Sequence, residues 1–482
     1  MKKTRSLSMI TAAAVILSAA AGCGRRGYED FVVPEQGPST LRPISDIYID
    51  NHYEGAAPTK EKTNRTVRSS DGLCVIECKD SYYDVTLDYE KGSPAQVGAA
   101  YGKTLLLALP DYADIVEPYL YENIRAAFTH LNGDYSGIEK RTDAFYSSLP
   151  EDYRQELDGF SDAVSGTSEG FIEDGIISRD EAVLMQFIPD ALRGTACSAI
   201  SANGSATATG ERITARILEW ELGSDNQICQ AHTLVHMKNG SKSFTSLTYL
   251  GFLTILTAVN DDGVMLGELD VGSESMIQYT CENKTSYTYG MRYALENFTT
   301  ARDAAEYLTE NACRYPYCVN VLATDKKDAL VAELLALNEE QLSSFMDELD
   351  DKEKTDLKFA SAIRDSSSQL HKCYPWSDPN YICAVNAFVT NDNVTSAIQT
   401  ENNLIRWNRY DKLFCGQTGL TLGHFKELMT CESTDNDLNR IRSGGLVHML
   451  IADYSTDTMQ AVLTGTDGVK DSPEFIDLGS WH

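Results

Sequence analysis

Positive charge is scarce in this sequence of 482 residues. Lys and Arg number 41 against 71 Asp and Glu, which gives a formal net charge of −30 at pH 7. So negative a chain is a poor electrostatic partner for nucleic acid or for an anionic membrane surface. Apart from the N-terminal segment, no apolar run reaches the 18 residues that predict a membrane-spanning helix. Histidine is also sparse, and the eight residues show no pattern that indicates a catalytic triad.

The N-terminal segment has the features of a targeting sequence. Three basic residues lie among the first five, and residues 9–21 are apolar. The segment ends at Cys23 in a stretch that resembles a bacterial lipoprotein cleavage box, with Ala20 where leucine is usual. Ordinary signal-peptidase cleavage is the alternative. We expect residues 1–23 to be a lipoprotein signal peptide, and the protein to be extracytoplasmic and anchored to the bacterial membrane through a lipid on Cys23.

The remaining chain divides into three parts by composition and periodicity. Residues 24–79 are rich in Pro, Gly, Ser, Thr and charge, which predicts a flexible tether. Residues 80–196 contain one alternating run, at 83–89, and then stretches with the apolar spacing of helices. From residue 197 onward, alternating runs separated by turn signals predict consecutive hairpins and therefore antiparallel sheets. We expect an α+β protein. The predicted helices of the second part are at 95–109, 112–132, 150–164 and 178–192.

The stretch from Gly194 to Trp220 is the most informative part of the chain. Cys197 follows small residues, and the turn formers Asn203-Gly204 lie between two strand-like runs. The second run carries Arg216 and Glu219. This pattern predicts a β-hairpin that returns a cation and a carboxylate toward a thiol. A nearby cation favours the thiolate, which is the nucleophilic form of cysteine.

This hairpin resembles the start of the cysteine N-terminal nucleophile (Ntn) hydrolases. The similarity is greatest to the penicillin acyltransferase-like branch (peptidase C45), which is related to choloylglycine hydrolases and acid ceramidases. Their pattern is a small residue, Cys, Ser or Thr, a hairpin, and then Arg-Asn-x-Asp followed by an aromatic residue. The matching segments here are Ala196-Cys197-Ser198 and Arg216-Ile217-Leu218-Glu219-Trp220. The resemblance continues at scattered positions over residues 80–470.

The resemblance implies a fold and a reaction. The fold is a four-layer αββα Ntn-hydrolase sandwich of antiparallel sheets over residues 197–482, preceded by a helical N-terminal pro-region at 80–196. The chain would be cut between Ala196 and Cys197, with the two fragments staying associated, and the new α-amino group would serve as base for the thiol. The implied reaction is hydrolysis of the C–N bond of a linear acyl amide, a small-molecule substrate, through a thioester and without a cofactor. Acyl transfer by the same family and a non-catalytic lipoprotein that binds acylated ligands are the alternatives.

The resemblance also assigns roles to four residues around the nucleophile. Arg216 would favour the thiolate and hold the carbonyl side of the substrate. Glu219 stands where the family has an Asp that binds the new α-amine. Asn391, in a Thr-Asn motif, matches an Asn that organises the oxyanion region. Arg406, at the start of an Arg-rich helix, matches an arginine that supports the nucleophile by its charge.

Asp270 departs from the family pattern. Counted from the turn at residues 260–263, the family places an oxyanion-hole Asn here. A carboxylate repels an oxyanion unless it is protonated. Three explanations remain open: backbone N–H groups and Asn391 suffice as donors, Asp270 is held neutral, or the activity is weak.

Twelve cysteines fit an extracytoplasmic protein. With Cys23 and Cys197 set aside, ten remain, and we expect disulfide bonds whose connectivity the sequence leaves open. No complementary pair of ligands has zinc spacing, and His232 and His236 on one strand face lack two further ligands, so we expect no metal site. The cysteines that are close in sequence are Cys74/Cys78, Cys313/Cys318, Cys373/Cys383 and Cys415/Cys431, which leaves Cys229 and Cys281.

Overall fold

The computed structural model describes most of the chain from residue 64 onward. The expected signal peptide, Cys23 and most of the expected tether lie outside the described residues, as does Ala196. The described residues are 64–127, 134–166, 169–192, 197–271, 281–337, 339–340, 342–343, 360–391, 393, 401–431, 441, 445–470 and 473–482.

These residues form an α+β fold with two β-sheets. The larger sheet has ten strands. Every neighbouring pair is antiparallel except β3 and β6, which are parallel. The spatial order is β1 (Arg65–Arg68), β2 (Cys74–Cys78), β3 (Tyr83–Asp88), β6 (His232–Lys238), β7 (Phe244–Tyr249), β8 (Thr257–Asn260), β9 (Met265–Asp270), β10 (Val319–Thr324), β11 (Ala329–Leu334) and β12 (Ala362–Arg364).

The smaller sheet has six strands, all antiparallel. Its second and third strands are the hairpin that the sequence predicts around Asn203-Gly204. The spatial order is β13 (Tyr381–Ala384), β4 (Ser198–Ala202), β5 (Ile213–Glu219), β14 (Leu446–Asp453), β15 (Thr458–Leu463) and β16 (Ile476–Ser480).

Nine α-helices occur within the described ranges, and none of them is long and apolar enough to cross a membrane. The four helices predicted between residues 95 and 192 are present. The helices are α1 (Pro94–Ala108), α2 (Tyr112–Ala127), α3 (Ser136–Ser148), α4 (Glu151–Val164), α5 (Arg179–Ala191), α6 (Tyr287–Asn297), α7 (Ala301–Asn311), α8 (Glu401–Phe414) and α9 (Leu422–Thr430).

One expectation about the N-terminal half needs correction. The last part of the expected tether forms β1 and β2, because Cys74, Ile76 and Cys78 alternate with less buried residues and face the core. The alternating run at 83–89, within the expected pro-region, forms β3, an internal strand of the larger sheet. The parallel pairing of β3 with β6 departs from a purely antiparallel sheet. A parallel pair requires a long crossover, and residues 89–231 provide it.

The expected disulfide bonds are not present in this structure. No disulfide bond joins any of the eleven cysteines in the described part of the chain. Cys74 and Cys78 cannot pair with each other, because both lie on β2 and four strand residues span about 13 Å. A disulfide bond needs Cα atoms within about 7 Å.

Packing places the two sheets face to face. Leu234, Leu247 and Val259 of the larger sheet share a buried cluster with Leu450 and Met459 of the smaller sheet. Two further clusters involve the helices. One combines α8 and α9 with the smaller sheet, and the other combines helices between α1 and α7 with strands of the larger sheet.

Helices α1 and α4 approach unusually closely, through glycines. A β-carbon at Gly98 would lie 2.0 Å from the main-chain oxygen of Glu156, and one at Gly159 would lie 2.2 Å from that of Ala95. Backbone contact of this kind excludes any larger residue at these positions.

Asp190, near the end of α5, joins that helix to α6. Its carboxylate accepts hydrogen bonds from the Tyr287 backbone N–H at 2.7 Å and from the hydroxyls of Ser286 and Thr288 at 2.9 and 2.7 Å. Burial raises the pKa of Asp190 to about 7, although these donors oppose the shift. The carboxylate lies at the first turn of α6, where a negative charge or a strong acceptor is favoured.

Candidate active site

The Cys197 side chain lies in a fully buried position directly before β4. Arg216, in β5, donates a hydrogen bond from Nη2 to Cys197 Sγ at 3.2 Å. The β4–β5 register pairs Arg216 with Ala199, so the guanidinium reaches back along the hairpin to the thiol. The structure therefore brings this cation to the thiol, an arrangement that favours the thiolate.

Further contacts fix the guanidinium of Arg216 between the two sheets. Nη1 donates to the Thr257 hydroxyl at 2.9 Å, and Nε and Nη2 both donate to the main-chain oxygen of Glu268. The carboxylate of Glu268 lies 3.6 Å from Nη2, and both side chains are fully buried. Glu268 was not among the predicted site residues. A charged residue inside the apolar strand run of β9 was the signal that could have indicated it.

Gly267 allows Arg216 to pass over the larger sheet. A β-carbon at this position would lie 2.8 Å from Cγ of Arg216 and 3.6 Å from its Cβ and Cδ. These separations are shorter than, or at the lower limit of, ordinary carbon–carbon contact. The path of the arginine side chain thus depends on a residue without a side chain in β9.

Arg406 holds the main chain of the nucleophile rather than its thiol. It lies in α8, is buried, and donates from Nη1 to the main-chain oxygen of Cys197. Nη2 donates at 2.8 Å to the side-chain oxygens of Asn386 and Asn403. Tyr410, one helical turn later, places its hydroxyl 3.0 Å from that of Ser198. Side chains four residues apart share a helix face, so α8 supports the start of β4 at two points.

Glu219 lies on the side of the smaller sheet that faces α8. It is three residues from Arg216 in β5, and an odd separation directs the two side chains to opposite faces. Burial, followed by the charge of Cys383, raises the pKa of the Tyr410 hydroxyl, and the charge of Glu219 adds to this increase. The hairpin therefore places the cation on the thiol side and the carboxylate on the side where α8 binds the Cys197 main chain.

Asn386, rather than Asn391, contacts the predicted site residues. Its Oδ1 accepts from Arg406, and its Nδ2 donates to the main-chain oxygen of Asp270 at 2.6 Å. Asn391 lies five residues further on, and its backbone N–H donates to Gln369. Strand β13 ends at residue 384, so Asn386 and Asn391 both lie in the segment that follows the strand.

The segment around Asn386 is held by Asn320 of β10. Asn320 Nδ2 donates to the main-chain oxygens of Val385 at 3.0 Å and Ala387 at 2.8 Å. These two carbonyls flank Asn386. One buried amide thus fixes the backbone on both sides of the asparagine that contacts Arg406.

A buried ion pair holds the two ends of the same segment. Glu333 accepts hydrogen bonds from the backbone N–H groups of Val389 at 2.7 Å and Thr390 at 3.1 Å. Arg364 lies 3.3 Å from the Glu333 carboxylate and donates to the main-chain oxygen of Cys383. Burial raises the pKa of Glu333, whereas Arg364 and the backbone donors oppose the shift. Strands β11 and β12 of the larger sheet therefore position the segment that follows β13, the edge strand of the smaller sheet.

Asp270 is buried at the end of β9. Its main-chain oxygen accepts from Asn386, so its backbone forms part of the network that includes Arg406. The main chain of Asp270 is therefore in contact with the predicted site.

His448, which the sequence analysis did not single out, lies close to Arg216. Its Nε2 is 3.4 Å from the Thr257 hydroxyl that binds Arg216. Burial lowers the pKa of His448 well below its usual value, and the charges of Arg216 and His232 lower it further. The imidazole is therefore neutral at neutral pH. Across the described ranges, no group of three or more His, Cys, Asp or Glu side chains is placed to hold a metal ion.

An apolar cavity of about 30 Å³ lies beside Trp220, the residue that follows Glu219 and the end of β5. Tyr249 is part of the cavity wall, and its hydroxyl is buried. Residues of α2 and α5 line one side, and residues that follow β5 and β7 line the other. The lining consists of Val116, Tyr119, Met185, Ile188, Pro189, Trp220, Ile228, Tyr249, Leu250, Phe252 and Leu256.

Comparison with known proteins gives structural neighbours only. No protein-family model matches the sequence, and no curated protein does. A Caenorhabditis elegans N-acylethanolamine-hydrolyzing acid amidase ortholog is 13% identical over 53% of this chain and 92% of its own, with a TM-score of 0.35. A mutant conjugated bile acid hydrolase from Clostridium perfringens is 10% identical, covering 58% and 92%, with a TM-score of 0.32. Penicillin V acylase from Agrobacterium tumefaciens is 10% identical, covering 58% and 86%, with a TM-score of 0.30.

These neighbours are cysteine Ntn-hydrolases, the superfamily that the hairpin resembles.

Proposed function

We propose that this chain is an Ntn amidohydrolase that cleaves the C–N bond of linear acyl amides through a thioester on Cys197. The hydrogen bond from Arg216 Nη2 to Cys197 Sγ, 3.2 Å long in a buried site, is the observation that carries this proposal. A fixed cation beside a thiol activates it as a nucleophile. The apolar cavity of about 30 Å³ has room for one small group, and its aliphatic and aromatic walls suit the apolar atoms next to an amide carbonyl.

The proposed reaction has two steps. Cys197 Sγ attacks the amide carbonyl carbon, the C–N bond breaks, and the amine leaves with a proton. Water then attacks the thioester and releases the acid and the thiol. The base is the α-amino group of Cys197 after cleavage, whose usual pKa of about 7.7–8.0 suits proton transfer near neutral pH. Glu219, on the α8 side of the sheet, is the residue that we propose to bind this amine.

Maturation by a cut between Ala196 and Cys197 is part of the proposal. The fold would be a four-layer αββα arrangement whose N-terminal part stays bound after the cut. Three contacts across the cut support this association. Strand β3 pairs with β6, Trp220 Nε1 donates to Asn123 at 3.1 Å, and Arg292 pairs with Glu156 at 2.6 Å. The last pair is buried, so separating the fragments would expose two charges that are now neutralised.

We also propose that the protein is a lipoprotein of the bacterial membrane, attached through Cys23. The cleavage-box-like sequence before this cysteine supports the proposal. The wild-type protein should partition into a detergent phase, and a Cys23→Ser variant should not. Equal partition of the two proteins would contradict lipid attachment.

An amide screen with two variants tests the proposed activity. Purified wild-type protein should hydrolyse at least one class among N-acyl amino acids, bile-acid conjugates, acyl homoserine lactones and β-lactams, and mass spectrometry should find a fragment that begins at Cys197. The Cys197→Ala variant should remain uncut and inactive. An intact wild-type chain that hydrolyses amides as fast as a cut one would refute the maturation step. Addition of a second amine separates hydrolysis from acyl transfer, the alternative, by the product formed.

A further inference from the structure

The proposed reaction lacks an evident donor for the oxyanion. Asp270 occupies the position where an asparagine was expected, and one N–H of Asn386 Nδ2 is already bound to the Asp270 main-chain oxygen. Arg216 directs its donors to Cys197, Thr257 and Glu268. Removing one oxyanion donor lowers kcat by about 10²–10³ in a typical acyl-transfer enzyme. Another donor near the thiol would therefore be valuable to this site.

The hydroxyl of Tyr249 is such a donor. Tyr249 ends β7, and its ring stacks on His232 with centroids 6.2 Å apart. The hydroxyl oxygen is buried and has no hydrogen-bond partner among the residues that the structure describes. A buried hydroxyl without a partner is destabilising, and a substrate carbonyl oxygen beside Tyr249 would supply the missing acceptor.

A series of contacts connects Tyr249 to the cation that binds the thiol. The Tyr249 ring stacks on His232, and the His232 and His448 rings lie 6.4 Å apart. His448 Nε2 is in turn 3.4 Å from the Thr257 hydroxyl that binds Arg216.

The Tyr249 ring lines the apolar cavity. Burial raises the pKa of Tyr249 well above its usual value, with the charges of Cys229 and Cys197 raising it and that of Arg216 opposing the shift. The hydroxyl therefore keeps its proton at any pH at which the enzyme would work. It can donate a hydrogen bond, and it does not act as a base.

We propose that the Tyr249 hydroxyl binds the carbonyl oxygen of the substrate and stabilises the oxyanion. This inference rests on the proposed function. When Cys197 Sγ bonds to the carbonyl carbon, the π electrons move to the oxygen, and Tyr249 donates a hydrogen bond to it while keeping its proton. When the intermediate collapses, the C=O bond re-forms and the C–N bond breaks. The amine leaves with the proton that the Cys197 α-ammonium group supplies.

The Tyr249→Phe variant removes only the hydroxyl and keeps the ring in the cavity wall. We expect kcat for a cleaved amide to fall about 10²–10³-fold with little change in KM. Tm should stay the same or rise, because an unpaired buried hydroxyl is lost. Alkylation of Cys197 by iodoacetamide forms no oxyanion and should keep its wild-type rate. All rates are normalised to the amount of fragment that begins at Cys197.

Tyr289→Phe is the matched control. Its hydroxyl is also buried without a partner among the described residues, and its ring packs on Tyr153 and Phe187. This variant should keep the wild-type kcat and KM.

Three outcomes would count against the inference. A Tyr249→Phe variant with kcat within twofold of wild type would overturn it and leave the proposed function intact. A fall in the alkylation rate and in Tm that accompanies the fall in kcat would overturn it as well, because the tyrosine would then have a structural role. A wild-type protein without Cys197-dependent turnover of any amide would overturn the proposed function and, with it, this inference.

Discussion

Replacement of Gly267 by alanine tests whether the position of Arg216 controls the thiol. The new β-carbon would lie 2.8 Å from Cγ of Arg216, whereas carbon atoms in contact are about 3.5–4.0 Å apart. The arginine side chain must therefore move by roughly 1 Å. Because Cγ lies near the start of the side chain, the guanidinium moves with it. Overpacking of this kind costs about 1–3 kcal/mol of stability, and a displacement of about 1 Å can lower a rate by about 10²-fold.

The assay combines turnover with the chemistry of the thiol. For Gly267→Ala we expect kcat/KM for an amide to fall by about 10²-fold and Tm to fall. The midpoint of the pH dependence of Cys197 alkylation should move to higher pH, because the thiolate loses a neighbouring cation. Gly423→Ala in α9 is the control, since the nearest atom to its new β-carbon is the Thr421 hydroxyl at 3.9 Å. It should leave both measurements unchanged.

A double variant separates the steric clash from other effects. Arg216→Ala removes Cγ, so adding Gly267→Ala to that background should change Tm very little. If Gly267→Ala lowers Tm in this background as much as it does alone, the clash involves atoms other than those of Arg216. Wild-type turnover and an unshifted alkylation midpoint in Gly267→Ala would refute the reasoning that Gly267 fixes the guanidinium.

Three further predictions concern other parts of the structure. Asn386→Ala should lower kcat by about 10–10²-fold. The variant leaves a buried N–H of Arg406 without the Asn386 acceptor, which costs about 1–3 kcal/mol. Unchanged kinetics would contradict a role of Asn386 in positioning Arg406. The pKa of Asp190 is about 7 in the folded protein and 3.8 in the unfolded chain. This difference contributes on the order of 4 kcal/mol to the free energy of unfolding below about pH 4, and the contribution is lost as pH rises through 7. The Tm of wild type relative to Asp190→Asn should therefore fall between about pH 4 and 7, the interval between the two pKa values, and a constant difference would refute the assignment. Gly98→Ala should lower the free energy of unfolding by about 3 kcal/mol in a urea titration, because its β-carbon would meet the Glu156 carbonyl; an unchanged urea midpoint would show that α1 and α4 can separate freely.

Local signals made part of the fold predictable. The strand runs around Asn203-Gly204 became β4 and β5, and Ser178 caps α5 with the reciprocal bonds to Glu181 that such a sequence favours. A helix start is another local signal. The Thr300 side chain accepts a hydrogen bond from the Asp303 backbone N–H and begins α7.

The contacts of the candidate site were less predictable than its main residues. Cys197 and Arg216 lie on one hairpin, so a spacing argument brings them together. Asn386 depends on Asn320 and on the Glu333–Arg364 pair, which come from other strands, and no motif joins them in sequence. The Thr390-Asn391 motif was easier to see than an asparagine within an apolar run. Residues brought together only by tertiary packing leave no periodic pattern in the chain.

The parallel pairing of β3 with β6 has a consequence for the lifetime of a cut protein. If the chain is cut before Cys197, one sheet is built from two polypeptides, because β1–β3 belong to the first and the strands from β6 onward to the second. The uncut chain folds in a unimolecular reaction, whereas two denatured fragments must find each other, with a rate that depends on their concentration. Once cut, the protein would therefore be maintained by slow unfolding rather than by repeated refolding, and at high dilution each unfolding event would be final.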